Sequence, residues 1–222
     1  MRQVFEGEIY EILPISNGIL FSYKKDEIEE NVVVSYKMIS FDTGRITDVT
    51  NATYLMTKFG TNYKAVCNFC ENKITVKSIL LPAGKVFLLA GDGSAVLLDN
   101  DITPVWTGKL VYRSAAASDI ALYDGALWAT FSDKNVLLKY DLSTMKEELR
   151  IGGKTSPFDK PKDIFIDGDK AIISNSGSMK LVAFSFKEYD VSDYACFEEP
   201  VFQFISAGGY KFVLLRSGLY VI

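Results

Sequence analysis

The chain has 222 residues, 48% of them hydrophobic and 13% aromatic, which is enough apolar material for a single all-β domain with a full core. Its formal charge is −4, from 24 basic and 28 acidic residues scattered among one another, so there is no electrostatic footprint for nucleic acid. The absence of histidine excludes, within this chain alone, Ser-His-Asp and Cys-His nucleophiles, His-based zinc sites and histidine general bases.

In chain order, Met1 leads directly into the strand-like Gln3-Val4-Phe5-Glu6 with no apolar leader, and no apolar run approaches the roughly 18 residues of a membrane span. Residues 2–8 form a strand that has no repeat partner nearby. Residues 11–15, the tight-hairpin signal Asn17-Gly18, and residues 19–23 and 32–41 read as the first three strands of a blade. Lys58-Phe59-Gly60 reads as the end of its outer strand. Residues 61–72 follow as a long connection, in which Tyr63, Val66, Cys67 and Cys70 fall at i, i+3, i+4 and i+7, the apolar face of a short helix that could plug a channel mouth. Residues 78–81, 83–88 and 95–99 repeat the strand rhythm. Residues 118–141 and 162–185 then superpose without a gap at a period of 44: Asp119-Ile120 answers Asp163-Ile164, and Leu137-Leu138-Lys139-Tyr140 answers Leu181-Val182-Ala183-Phe184. Residues 203–206, Gly208-Gly209, 211–215 and 219–222 begin a last blade that stops after three strands.

A period of about 40 to 50 residues built from short apolar strands predicts a β-propeller, whose blades need neighbours to bury their faces. The missing last strand and the surplus first one predict ring closure, with residues 2–8 completing the final blade and removing exposed edges. The expectation is a single, closed, five-bladed all-β propeller of four-stranded antiparallel blades, at roughly 9–60, 61–113, 114–153, 154–197, and 198–222 with 2–8.

Residues 160–175 run Lys-Pro-Lys-Asp-Ile-Phe-Ile-Asp-Gly-Asp-Lys-Ala-Ile-Ile-Ser-Asn, with proline, inner strand, acidic-glycine turn, second strand and a polar end. This resembles the NHL-like propellers, and residues 119–141 share the pattern. That superfamily holds scaffolds, ligand binders and metal-dependent hydrolases, so the resemblance implies a fold and not one activity. Asn175 resembles one element of the cation site of gluconolactonase-like propellers, and Asp133 stands at the corresponding turn of the preceding blade.

The chemistry left to the chain is carried by carboxylates, thiols, lysines and amides. Cys67-Asn68-Phe69-Cys70 has the spacing of half a zinc site or a redox pair, but no second pair exists, and incidental thiols are the preferred reading. Three cysteines, an odd number, suit a reducing compartment, so the cytoplasm is the expected location. Glu11, Asp119 and Asp163 begin inner strands, with Gln203 in the equivalent place of the last blade. Such acids could bind Ca or Zn together with Asn175, or act as an acid and base on sugars. They also commonly bond the backbone N–H groups of a neighbouring strand, which is the preferred reading.

Most aromatic residues, among them Phe5, Tyr10, Tyr140 and Tyr210, are expected between blades. Trp106, Tyr112, Arg113, Phe158 and Lys160 lie in or beside connections and are surface candidates. A site is expected at the channel mouth, formed by Tyr112, Arg113, Asp133, Phe158, Lys160, Asp163, Asn175 and Arg216, where cations would complement a carboxylate or phosphate on a small polar ligand. With no nucleophile beside a base and no phosphate-cradling glycine loop, the reading favours a binding or scaffold module without cofactor, for a protein or small polar ligand and not for nucleic acid or membrane. The alternative is a divalent-metal-dependent hydrolase, gluconolactonase-like or glycosidase-like, using channel carboxylates.

Overall fold

A computed structural model describes residues 1–70 and 75–222 of the protein. Five four-stranded antiparallel sheets stand in a ring, a five-bladed β-propeller. Blade 1 comprises β2 (Ile9–Ile15), β3 (Gly18–Ile28), β4 (Asn31–Ser40) and β5 (Ile46–Val49). Two helices follow, α1 (Asn51–Phe59) and α2 (Tyr63–Phe69). Blade 2 is β6 (Thr75–Leu80), β7 (Val86–Ala90), β8 (Ser94–Leu98) and β9 (Pro104–Lys109), with a short hairpin of β10 (Val111–Tyr112) and β11 (Ala115–Ala116) after it. Blade 3 is β12 (Asp119–Tyr123), β13 (Ala126–Phe131), β14 (Val136–Asp141) and β15 (Glu147–Gly152), and blade 4 is β16 (Pro161–Asp167), β17 (Lys170–Asn175), β18 (Lys180–Ser185) and β19 (Val191–Cys196). Blade 5 takes β20 (Val201–Ala207), β21 (Tyr210–Leu215) and β22 (Gly218–Val221) from the C-terminal end, and β1 (Arg2–Glu6) as its outer strand, with Arg2 opposite Val221 and Glu6 opposite Gly218. Closure through the N-terminal strand is therefore as expected from the unmatched strands at the two ends.

Local sequence explains the hairpins. Asp124 and Gly125 both take positive φ, 48° and 71°, as do Gly208 and Gly209 at 57° and 80°, the backbone of two-residue turns whose twist matches that of the strands. The first hairpin is shifted by one residue from the Asn-Gly reading. Ile15 pairs with Gly18, so the turn is Ser16-Asn17, and Gly18 serves instead as a point of close approach, where a Cβ would lie 2.2 Å from the Ile39 carbonyl oxygen.

Sheet faces pack blade to blade through apolar clusters. Phe87, Leu89, Ile120 and Phe131 join blades 2 and 3; Trp128, Ile173 and Phe184 join 3 and 4; Ile172, Leu181, Phe204 and Val213 join 4 and 5; Ile12, Phe21, Ile205 and Phe212 join 5 and 1. Between blades 1 and 2 the packing is different. There α1 and α2 cover the face of blade 2 that bears Val86, Leu88, Val96 and Leu98, using Phe59 and Val66 with Leu55, Tyr63, Cys67 and Cys70. Lys58-Phe59-Gly60 is thus the C-terminal end of a helix and not of an outer strand. The Thr50 hydroxyl caps that helix, accepting from the Thr53 N–H at 3.1 Å, and the Gly60 N–H closes it onto the Met56 carbonyl. The apolar face expected around Cys67 forms, but it lies on blade 2 and not in the channel. The last two residues of the 61–72 connection lie outside the described residues. No helix among the described residues is long and apolar enough to cross a membrane.

Candidate functional site

Each inner strand carries a polar residue at an equivalent position within its first three residues: Glu11, Lys77, Asp119, Asp163 and Gln203. In three blades this residue ties its blade to the next. Asp119 accepts the Ile164 N–H at 3.0 Å, and Asp163 accepts the Phe204 N–H at 3.1 Å. Gln203 closes the ring with two bonds to Ile12, accepting from its N–H at 2.8 Å and donating to its carbonyl at 2.9 Å. In each case the partner is the residue after the equivalent position in the following blade. The preferred reading of the inner-strand acids, as acceptors for a neighbouring strand's backbone, holds at Asp119 and Asp163.

Blades 1 and 2 depart from this pattern because the helices stand between them. Glu11 turns to α1, accepting from Lys58 Nζ at 2.6 Å and from the Tyr54 hydroxyl at 2.6 Å; the Ser22 hydroxyl lies 3.2 Å from that of Tyr54. Lys77 reaches Asp119 at 3.1 Å and Asp163 at 3.8 Å. Burial pushes the Asp163 carboxyl well above the usual carboxylate range, Lys77 opposes this, and the Asp119 charge adds to it. For Lys77, burial alone would favour the neutral amine, but Asp119, Asp163 and Glu11 outweigh it and raise the pKa above that of an ordinary lysine. Burial, and then the Glu11 charge, raise the Tyr54 phenol, so it stays a donor across the neutral range.

These groups form the floor of a cavity of about 640 Å³ at the channel mouth. Its rim has a regular origin. In β2, β6, β16 and β20 the pairing register slips by one residue immediately before the equivalent polar position, between Ile9 and Glu11, Thr75 and Lys77, Pro161 and Asp163, and Val201 and Gln203. Such a bulge leaves one residue unpaired and re-aims it. The bulged residues Tyr10, Lys162 and Phe202 line the mouth, as does Ser118, which precedes Asp119 in blade 3. Val34 and Tyr36 of β4 complete the wall, with the Tyr36 ring centroid 4.5 Å from that of Tyr54.

Of the eight residues expected at the mouth, Asp163 alone lines this cavity. Phe158 is 2% exposed, in the core between blades 3 and 4, which corrects its expectation as a surface residue. Tyr112 is half-buried, edge-on to Phe131 and beneath the Arg113 and Arg150 guanidinium groups, at 5.3 and 4.8 Å. Asp133, Lys160 and Arg216 are exposed on connections, and the Lys160 N–H donates to the Asn135 side chain. Asn175 is buried and donates to the Pro157 carbonyl, while its Oδ1 has no partner among the described residues. Glu11, Asp119 and Asp163, the other members of the expected metal set, do line the cavity. Two ammonium groups stand among them, and among the described residues no group of three or more His, Cys, Asp or Glu side chains is arranged to hold a metal ion. Trp106 is half-buried and stacked on Phe87, whereas Tyr10, expected between blades, is 44% exposed at the mouth.

Sequence reading missed Lys77, Lys58, Tyr54 and the rim. The signal for Lys77 is its spacing: the equivalent positions from Lys77 to Gln203 are 42, 44 and 40 residues apart, whereas 66 separate Glu11 from Lys77, the excess being the helical insertion. The bulges leave no signal of their own.

The chain matches no protein-family model, and no curated protein matches it by sequence. Solved structures do resemble it. A streptogramin B lyase structure is 10% identical, with a TM-score of 0.54 over 98% of this chain and 69% of that one. A protein of unknown function from Bacteroides caccae is 12% identical, with a TM-score of 0.54 over 94% of this chain and 70% of its own. A chain of a nidogen/laminin complex is 8% identical, also at 0.54, over 93% and 72%. The lyase and the nidogen/laminin chain have different roles on a shared architecture, and at such low identity the likeness establishes one thing, that this chain has the β-propeller fold.

Proposed function

We propose that the protein is an NHL-like propeller serving as a non-catalytic binding module, and that its ligand is a small polar molecule held at the channel mouth. The observation that carries this is the pairing of a cavity of about 640 Å³ with a rim re-aimed by a bulge that recurs in four inner strands. A cavity of this size suits a small molecule. The carboxylates at its floor are held by lysines and backbone N–H groups, which supports a recognition surface over a free nucleophile or general base. Glu11 is already paired with Lys58, and Asp119 and Asp163 with Lys77, so the carboxylates a divalent cation would need are committed to ammonium groups, which counts against the metal-dependent alternative. The three free thiols support a reducing, cytoplasmic setting.

The test is NMR of the labelled protein with a panel of sugars, amino acids and small organic acids. Shifts confined to the amides of residues 10–12, 118–120, 162–164 and 202–204 are expected. A panel that perturbs only the outer strands, or nothing, overturns the proposal.

A further inference from the structure

The mouth has two unlike sides. Blades 5 and 1 present Phe202, Tyr10, Tyr36 and Val34, an apolar and largely aromatic wall, while blades 3 and 4 present Ser118 and Lys162. Charge is distributed just as unevenly. Lys58 is paired with Glu11, and Lys77 with Asp119 and Asp163, whereas Lys162 is exposed and has no ion pair among the described residues. Among the described residues, an anionic group entering the mouth therefore meets one uncommitted ammonium, that of Lys162, without displacing an existing pair.

The rest of the cavity narrows the class. Among the described residues no arginine lines it, and one unpaired lysine suits a carboxylate better than a phosphate dianion, which is typically met by bidentate guanidinium groups or several cations. The exposed ring of Tyr10, turned to the mouth by its bulge, offers a flat surface on which the apolar face of a ring can be buried. The ion-paired floor and the Ser22 and Ser118 hydroxyls supply both donors and acceptors within one small volume, as sugar hydroxyls require. Building on the binding role proposed above, we infer that the ligand is an acidic sugar, a pyranose bearing one carboxylate, with its ring against Tyr10 and its carboxylate on Lys162.

The test is calorimetric titration of the full chain with glucuronate, glucose and benzoate, repeated on Lys162→Ala and Tyr10→Ala. Both residues are exposed, so the variants are expected to fold, and their melting curves check this. Glucuronate is expected to bind at least tenfold more tightly than glucose or benzoate. Lys162→Ala should reduce glucuronate to the level of glucose, and Tyr10→Ala should weaken both sugars together. Equal binding of glucose and glucuronate, or an unchanged glucuronate affinity in Lys162→Ala, overturns the acidic-sugar inference while leaving a mouth site standing. Preference for benzoate overturns the sugar. Shifts on the NMR panel with none at the mouth overturn the inference and the binding role together.

Discussion

Replacing Gln203 with alanine tests how the ring is closed. Its side chain makes two hydrogen bonds to the backbone of Ile12, a residue with no exposed surface, and so acts as an extra rung between the last blade and the first. The substitution removes both bonds and leaves an N–H and a carbonyl of Ile12 unpaired. Each unpaired buried group costs about 1–3 kcal/mol, and water at the mouth offsets part of this, so the expected loss is about 2–3 kcal/mol. At roughly 2–4 °C per kcal/mol for a chain of this size, the melting temperature should fall by about 4–12 °C. Gln203→Glu sharpens the test. Glutamate keeps the acceptor for the Ile12 N–H but points a carboxylate at the Ile12 carbonyl, and only the protonated acid can donate there. Its folded pKa is then raised above the unfolded value of about 4.3, so the variant should approach the parent at acid pH and lose stability as pH rises through that raised pKa. Urea unfolding followed by the fluorescence of the two tryptophans, Trp106 and Trp128, measures both variants. An alanine variant within 0.5 kcal/mol of the parent, or a glutamate deficit that is flat from pH 7 to pH 4.5, would refute the closing role.

Removing residues 1–8 takes away the outer strand of blade 5 and with it Phe5, whose ring centroid lies 4.8 Å from that of Phe21 and 5.1 Å from that of Tyr23; a melting temperature lower by more than about 10 °C is expected, and an unchanged one would sink closure by β1. Where that truncation does not fold, the half-buried Phe5→Ala should still cost about 2–3 kcal/mol in urea unfolding. Tyr54→Phe deletes the hydroxyl that donates to Glu11 and should cost about 1.5–3 kcal/mol by the same assay; no change would mean that α1 does not anchor blade 1 through this bond. Because the folded pKa of Asp163 is raised, its contribution to stability is fully present below the unfolded value of about 3.9 and is lost as pH rises through the folded value. Relative to Asp163→Asn, which has no such titration, the parent should therefore lose stability as pH rises above about 4, and parallel pH profiles of the two melting temperatures would contradict the buried, desolvated carboxyl.

The sequence by itself determined the architecture. A period near 44 residues, an apolar alternation that makes two-sided strands, and unmatched strands at the two ends are each local or additive features, and together they specify a closed ring of five blades. It also carried the role of Asp119 and Asp163, because equivalent positions in a repeat meet equivalent neighbours. Tertiary structure alone decided the rest. Residues 51–59 fold as a helix because Thr50 caps them and because Phe59 finds the uncovered face of blade 2, a partner that lies in a later sheet. That helix brings Tyr54 and Lys58 to Glu11 across more than 40 residues of chain and takes it out of the backbone pattern its equivalents follow. The rim likewise depends on one-residue slips in strand pairing, which turn Tyr10, Lys162 and Phe202 to the mouth. A register slip is a property of two paired strands, so neither strand read alone reveals which residue it will expose.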